Sequence, residues 1–514
     1  MWGLRPPCLY MSVSLKIEKY SHGCRVTGFD VDALHKTTRF LETLSLKEPQ
    51  RVQNRMQMVL KKKYYGMTEN RRELFIHRNT LTDYVNHMSE SGYPTAKIVY
   101  NQIPVPEAAN ADYLIDEKYQ LRDYQIPIVT ELADDTYSRR LDLQTGKGKT
   151  FTTLAALARM AVRGIVMIPP KYFGIWKTAL EETYSDSAKY RMCSGSGELK
   201  QLIIDGLDGN IHEEVVIVSC VSYRGYIEAY ETYGENIEAS GYMVPPPRFH
   251  EAIGAGCQIN DEFQEDPGLY FRIDVYSNVK KMIYLSATPY TGNPYVTRMI
   301  DVMTPAETRC TLPEWDRYID VVWIYYSDPT VQAKDYLTPF KNTYNHARYE
   351  TKMLEKKKRL DCYQAYVRRA VEGLFVRDMQ PGQKALILCS TVKFIHALTK
   401  YLQKEFPDLS IGFHVAGCDY KKLVTYDIIV STPKSCGTGV DIPNLRETFL
   451  LVATGSEKDA VQIMGRTRPL KLYPNHTPRL NVLVCNNIPQ HGRYMAANEE
   501  VFAKKARFQR KARL

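Results

Sequence analysis

The sequence lacks paired cysteines. Its 11 cysteines are scattered singly, with no C-x-x-C spacing, so neither a zinc ribbon nor a disulfide framework is signalled. An odd, patternless set fits a reducing cytoplasm. No apolar run approaches the roughly 20 residues needed to span a bilayer, so no membrane role is expected. The N-terminus places one arginine, Arg5, before Pro6-Pro7 and lacks a signal-peptide pattern. Met11 is an alternative start, which would leave the preceding residues as an appendage. No short-period repeat is visible.

What is present is ordinary in bulk. A length of 514 residues suggests about three domains. Hydrophobic content of 44% and charged content of 25% are those of a globular protein. A net charge of +10 and a pI near 8.8 favour a polyanionic partner, although a protein with spare lysines would look the same. The 37 tyrosines often adjoin Lys or Arg, which suits base stacking as well as ordinary surfaces.

The pattern along the chain divides it. In residues 1–108, alternation through Ser14–Tyr20 and Cys24–Gly28 around Ser21-His22-Gly23 predicts a hairpin. Helices are predicted over Asp30–Leu46 and Leu81–Ser89, with a second hairpin from Lys61–Tyr65 to Glu73–His77. This small α+β module carries Arg51, Arg55, Lys61, Lys62, Lys63, Arg71, Arg72 and Arg78, a face read either as solvated or as a DNA-contacting surface. From 109 to 308, buried strand-like runs at Gly164–Ile168, Val215–Ser219 and Met282–Leu285 alternate with helices. That implies a parallel sheet covered on both faces. A second such series spans 309–490, with strands at Asp320–Ile324, Ala385–Cys389, Ile411–Val415, Asp427–Val430, Phe449–Val452 and Asn481–Val484, and a long charged helical region at Ala347–Phe375. Residues 491–514 read as a basic tail, either frayed or in contact with phosphate.

The chain is organised around Leu143-Gln144-Thr145-Gly146-Lys147-Gly148-Lys149-Thr150. A strand precedes it and a helix-forming run follows. Such a loop turns backbone N–H groups and a positive helix N-terminus toward phosphate. Lys149 would reach the terminal phosphates and the Thr150 hydroxyl would hold Mg²⁺. The strict G-x-x-x-x-G-K-[ST] pattern fails because Leu143 takes the place of its first glycine. Downstream, Asp261-Glu262-Phe263-Gln264 offers adjacent carboxylates, one for the Mg²⁺ shell and one to orient or deprotonate water. Ser286-Ala287-Thr288 follows another apolar strand.

Together these segments resemble the ordered motifs of superfamily 2 helicases and translocases, across roughly residues 119–470. Leu121-Arg122-Asp123-Tyr124-Gln125 resembles the segment ahead of motif I, where the glutamine reads adenine. Leu143–Thr150 resembles motif I, and Pro169-Pro170 through Trp176 resembles motif Ia of DNA-translocating members. Asp261–Gln264 resembles motif II and Ser286–Thr288 motif III. Ser431-Thr432 through Gly437-Thr438-Gly439-Val440-Asp441 resembles motif V, and Gln462–Arg468 motif VI. Within the superfamily, the chain is most similar to phage UvsW-type helicases, which place a small module ahead of two RecA-like domains and act on branched DNA. Three departures stand out. Gln264 replaces the usual histidine of motif II. Gln258 and Asn260 interrupt the strand before Asp261. Arg468 follows Arg466 by two residues rather than three, with Pro469 in the usual place.

The resemblance implies an α/β fold of two tandem RecA-like domains behind a small N-terminal α+β domain. It implies an ATP hydrolase using ATP and Mg²⁺, a DNA helicase that steps along and unwinds or branch-migrates DNA as a cleft between the two domains closes and opens. The implied catalytic residues are Lys149, Asp261, Glu262, Gln462, Arg466 and Arg468, with Arg466 the safer arginine finger. Nucleotide binding falls to Arg122, Gln125, Thr145, Gly146, Lys147, Gly148, Lys149, Thr150, Gly439 and Asp441, and the metal to Thr150 and Asp261. Trp176 reads equally as core anchor or DNA contact, and Tyr119 as adenine platform or local packing. The implied partners are branched or forked DNA, with replication or recombination proteins as candidates, in the cytoplasm (of a bacterial host, for a phage protein). Competing readings are a duplex-DNA translocase without strand separation, an RNA helicase, and a nucleic-acid-binding scaffold with a decayed ATPase. A chain beginning near Asn110 is expected to keep basal ATPase.

Overall fold

The computed structural model describes residues 14–513 apart from 53–54, 185–188, 291, 340–341, 416–417, 419–423 and 436–441. The chain divides into two compact units. The first takes the described residues up to Leu143 together with Gly148–Pro313, and the second takes Gln144–Lys147 together with the described residues from Glu314 onward.

The first unit holds three sheets. The N-terminal sheet is built from β1 (Leu15–Lys19), β2 (Gly23–Thr27), β5 (Gly66–Met67), β6 (Leu74–His77) and β7 (Ile98–Gln102), in the order β5-β6-β2-β1-β7. The predicted first hairpin is present, with Lys16 opposite Thr27. The second differs from expectation: β3 (Ser45–Val52) and β4 (Arg55–Lys63) pair with each other in a separate ribbon, and β6 pairs with β5 and β2. The helix Val31–Thr43 falls within the predicted Asp30–Leu46, whose last two residues instead open β3, and the helix Leu81–Glu90 matches the predicted one. Asp30 caps the former, accepting from Ala33 N at 2.7 Å.

The central sheet of this unit is six-stranded and wholly parallel. It comprises β8 (Ser138–Leu141), β9 (Gly164–Ile168), β10 (Tyr190–Cys193), β11 (Val215–Ser219), β12 (Cys257–Asp261) and β13 (Lys281–Leu285), ordered β10-β11-β9-β12-β13-β8. Alternate residues of each strand feed two cores. Val166, Ile168, Ile217, Ile259 and Leu285 pack beneath helices Gln125–Leu132, Lys149–Met160 and Phe173–Thr183. Ile165, Met167, Val216, Met282 and Tyr284 face the opposite core.

That opposite core is shared with the N-terminal module. Leu15, Ile17, Val26, Phe75 and Ile76 belong to the same buried cluster as Tyr230, Phe271 and Tyr276. The rings of Phe75 and Tyr276 lie 4.4 Å apart, and those of Tyr64 and Phe271 5.2 Å. Polar contacts seal the same boundary: Ser21 N donates to Asn278 Oδ1 at 3.1 Å, and His77 lies 3.4 Å from Asp274. A side chain at Gly23 would meet the Val275 carbonyl oxygen at 2.0 Å, so only glycine allows this approach. Part of the predicted basic face is also engaged here. Lys62 pairs with Asp266 at 3.1 Å, Lys63 with Glu231 at 2.8 Å, and Arg78 lies 4.3 Å above the Tyr137 ring. Arg55, Arg71 and Arg72 remain exposed.

The second unit is built on seven parallel strands: β14 (Asp320–Tyr326), β15 (Lys384–Leu388), β16 (Ile411–His414), β17 (Ile428–Ser431), β18 (Leu445–Leu450), β19 (Arg479–Cys485) and β20 (Phe508–Arg513). Their order is β16-β17-β15-β18-β19-β14-β20. Helices His346–Leu354, Lys357–Leu374 and Val392–Glu405 cover one face, and Glu457–Met464 and Pro489–Lys505 the other. The segment expected as a basic tail is instead structural. The helix Pro489–Lys505 is followed by β20, which pairs with β14, Asp320 opposite Phe508. Arg507 holds Asp320 at 2.9 Å, Lys511 holds Glu499 at 3.0 Å, and Gln509 accepts from Trp323 Nε1 at 3.0 Å. Lysines and arginines on an edge strand discourage further pairing.

Candidate functional site

Strand register brings the first site together. Leu141 of β8 lies opposite Leu285 of β13, and Leu285 lies opposite Asp261 of β12. The phosphate-type loop and the Asp261-Glu262 pair therefore leave the same edge of the sheet, at the carboxyl ends where α/β proteins place ligands. The helix Lys149–Met160 starts directly after Gly148, which adopts a left-handed backbone at φ 79°. A Cβ there would lie 2.8 Å from Gln125 Nε2, so the turn requires glycine. Gly146 is left-handed too, at φ 84°.

Lys149 is the centre of this arrangement. Its Nζ lies 3.1 Å from Asp261 Oδ1 and 3.1 Å from Glu262 Oε1. Burial works against the charge on Lys149, but the two carboxylates outweigh it and hold its pKa above the usual lysine value. Burial raises the Asp261 pKa, with the Lys149 charge opposing. Asp261 is fixed from three further sides. Trp176 Nε1 donates to Oδ2 at 2.9 Å, Glu262 N donates to Oδ1 at 3.0 Å, and Tyr270 Oη donates to the Asp261 carbonyl at 3.1 Å. Glu262 itself is left-handed at φ 51°, an uncommon backbone state for a residue with a side chain. The Gln264 side-chain amide donates to Glu262 Oε2, so Gln264 steadies the second carboxylate. Thr150 follows Lys149 on the helix.

The polar strand before Asp261 also has an explanation. Gln258 and Asn260 point to one face of β12, where Gln258 Nε2 donates to Asn260 Oδ1 and His250 Nε2 meets Gln258 Oε1, both at 2.8 Å. Cys257 and Ile259 fill the apolar core on the other face. The alternation keeps Asp261 in register although two of the strand's residues are amides.

Around this centre, Gln125 is 2% exposed and uses its amide locally. Its Oε1 accepts from Arg122 N at 3.0 Å and its Nε2 donates to Thr152 Oγ1 at 2.8 Å. The exposed Arg122 side chain donates to Tyr124 Oη at 3.0 Å. The Tyr119 ring lies 5.6 Å from that of Phe151. Thr145, Gly146 and Lys147 group with the second unit, where Lys147 pairs with Asp316 at 2.8 Å. Thr288 N donates to Ser286 Oγ at 2.9 Å, closing the turn after β13.

In the second unit, Gln462 lies on the helix Glu457–Met464, capped by Ser456. The helix ends before either arginine. Arg466 lies in the turn beyond it and donates from Nη2 to the Pro433 carbonyl at 2.7 Å, joining this segment to the loop after β17. In that loop Thr432 Oγ1 donates to Ser435 Oγ and accepts from Ser435 N, both at 2.9 Å. Arg468 is half-buried two residues further on. Gly439 and Asp441 lie outside the described residues.

Sequence reasoning missed three supports of the site: the indole bond to Asp261, the Gln264–Glu262 bond and the Tyr270 bond to the Asp261 carbonyl. Trp176 and Gln264 stood within recognised segments. Tyr270 carried no signal.

No protein-family model and no curated protein matches the chain. Solved structures do. Mss116p, with its NTE and C-tail deleted and bound to ssRNA and AMP-PNP, is similar at 16% identity over 80% of this chain and 82% of that one, with a TM-score of 0.47. Dbp5 of S. cerevisiae, bound to RNA and ADP BeF3, is similar at 12% identity over 76% of this chain and 89% of that one, with a TM-score of 0.48.

Proposed function

We propose that the chain is an ATP-dependent nucleic-acid helicase or translocase, built on two tandem RecA-like domains and acting on branched or forked DNA. The observation that carries the ATPase reading is Lys149 at 3.1 Å from both Asp261 and Glu262, on a glycine-shaped turn at a helix N-terminus. An ammonium already bridging two carboxylates marks a place where a cation is accepted. Thr150 and Asp261 are the residues that would hold Mg²⁺, whose chemistry is to neutralise phosphate charge. Loop amides and Lys149 bind the phosphates, Glu262 orients or deprotonates the attacking water, and Gln462 and Arg466 present an amide and a cation to the transferred phosphoryl group. Arg468, Gly439 and Asp441 complete the proposed nucleotide contacts. The segments around Pro169, Ser219–Ser222, Thr391 and Thr432 are the proposed contacts to the nucleic-acid backbone.

Two measurements test this reading. ATP hydrolysis by the full chain should fall at least a hundredfold in Lys149→Ala, and undiminished hydrolysis removes the motor reading. Forked or four-way DNA should stimulate hydrolysis above single-stranded RNA. Equal stimulation by RNA overturns the DNA assignment and favours an RNA helicase.

A further inference from the structure

Beyond the carboxyl end of β14 the second unit contains a cavity of about 400 Å³ that the proposed ATPase does not use. It lies between the loop Ser327–Thr330 and the first turns of the helix Lys357–Leu374. Three tyrosines line it. The Tyr326 ring lies 5.3 Å from that of Tyr363, edge to face, and 5.8 Å from that of Tyr366. Tyr326 and Tyr363 are buried and Tyr366 is half-buried.

Cations surround these rings. Arg359 lines the cavity with its side chain 4% exposed. Its Nε donates to Asp328 and its Nη1 to Asp335 at 2.9 Å. Its Nη2 is buried and has no hydrogen-bond partner. The guanidinium also stands 5.0 Å over the Tyr349 ring, whose face partly compensates it. At the rim, Lys358 is exposed and pairs with no carboxylate among the described residues. Arg369 stands 5.2 Å from the centre of the Tyr366 ring. Arg359 and Lys356 together balance Asp328 and Asp335, so Lys358 leaves the lining of this mouth with a net positive charge.

This combination selects a ligand class. Aromatic walls take a flat ring, and an unpaired surface cation at the rim calls for phosphate. A volume of this size admits a nucleotide. All seven strands of the sheet are parallel, so the cavity lies at the same sheet edge as the loops at Thr391 and Thr432. We propose that this cavity is a base pocket for one nucleotide of a single-stranded nucleic acid, its ring packed against Tyr366 and Tyr363 and its phosphate at Lys358. The assignment rests on the nucleic-acid-motor reading and adds a place where a strand is gripped by its base rather than by its backbone.

The test uses the full chain and single-stranded oligothymidylate carrying one 5-iodouracil, which crosslinks to an adjacent aromatic ring on irradiation. The crosslinked peptide is expected within Lys357–Leu374, at Tyr366. Tyr366→Ala should lose that crosslink and bind the oligonucleotide about tenfold more weakly, while Tyr366→Phe keeps both. Lys358→Glu, at an exposed position, should weaken binding and lower the salt slope by about one. Basal ATP hydrolysis should be unchanged in all three. Tight binding with crosslinks confined to other segments, or wild-type affinity in Tyr366→Ala and Lys358→Glu, overturns the pocket and leaves the motor reading standing. Failure of the wild type to bind any oligonucleotide overturns both. Protection of Tyr366 from chemical modification by thymidine monophosphate but not by the oligonucleotide assigns the cavity to a free nucleotide and overturns the strand assignment.

Discussion

The indole nitrogen of Trp176 donates to Asp261 Oδ2 at 2.9 Å. Trp176 has no exposed surface, so it is a core side chain, and its polar end is aimed at the carboxylate proposed to hold Mg²⁺. An outer partner of this kind orients a ligand, and its loss typically lowers metal affinity by about 10–100-fold. Trp176→Phe keeps an aromatic ring and removes the N–H. The Mg²⁺ concentration for half-maximal ATP hydrolysis should rise by about tenfold or more, and metal binding followed by calorimetry with a non-hydrolysable nucleotide should weaken in parallel. Unchanged Mg²⁺ dependence would leave Trp176 as packing alone.

The N-terminal module shares the core of the first unit, so its loss is expected to compromise folding. Phe75 is fully buried against Tyr276 and Tyr230. Phe75→Ala should destabilise the unit by about 3–5 kcal/mol, read by denaturant unfolding. A chain beginning at Asn110 would expose Phe271 and Val275 of the helix Pro267–Val275 and Tyr276 just after it, and is expected to aggregate rather than keep basal ATPase. A soluble, cooperatively unfolding protein from that truncation would show that the module is dispensable.

His250 gives the first unit an acid-sensitive point. It is fully buried, and burial lowers its pKa from 6.5 to about 4 against the opposing hydrogen bond that its Nε2 donates to Gln258. Its Nε2 meets Gln258 Oε1 and its Nδ1 has no hydrogen-bond partner, so protonation would place a second N–H where nothing accepts it. The folded pKa lies below the unfolded one. The contribution is therefore complete above about pH 6.5 and is lost as pH falls toward 4, by about 3 kcal/mol in total. Unfolding free energies at pH 7.5 and pH 5 should differ less in His250→Gln than in the wild type. An equal pH dependence in the two would remove His250 as the cause.

Much of this was legible in the sequence because the central strands are short apolar runs. Gly164–Ile168 and Val215–Ser219 appear with the bounds their β-branched composition suggested. Where strands carry buried polar residues, the signal failed. The strand β18 begins at Leu445, four residues before the expected Phe449, because Glu447 is buried with Arg479 and with Asn481 at 2.8 Å. β20 is basic and largely exposed, so it resembled a tail; its place depends on pairing with β14, a partner more than 180 residues away (508 − 320 = 188). In the site, Lys149, Asp261 and Glu262 were readable from local motifs. The supports from Trp176 and Tyr270 depend on tertiary packing, which no local spacing encodes.

The two arginines beyond the helix Glu457–Met464 separate by geometry. The helix stops before both, so neither projects from a continuous helical turn. Arg466 is anchored, with Nη2 on the Pro433 carbonyl at 2.7 Å. A cation preset in this way needs less reorganisation to meet developing phosphoryl charge, and a transition-state arginine contributes on the order of 10³–10⁵ to turnover. Arg466→Ala should therefore abolish ATP turnover, while Arg468→Ala retains part of it. Because Arg466 also braces the loop after β17, loss of structure must be separated from loss of charge. Arg466→Lys keeps the charge and gives up the guanidinium fork. An Arg466→Ala protein with the wild-type melting temperature and unchanged nucleotide affinity, but no turnover, identifies Arg466 as the residue acting in the transition state. The reverse ranking, with Arg468→Ala inactive and Arg466→Ala active, assigns that role to Arg468.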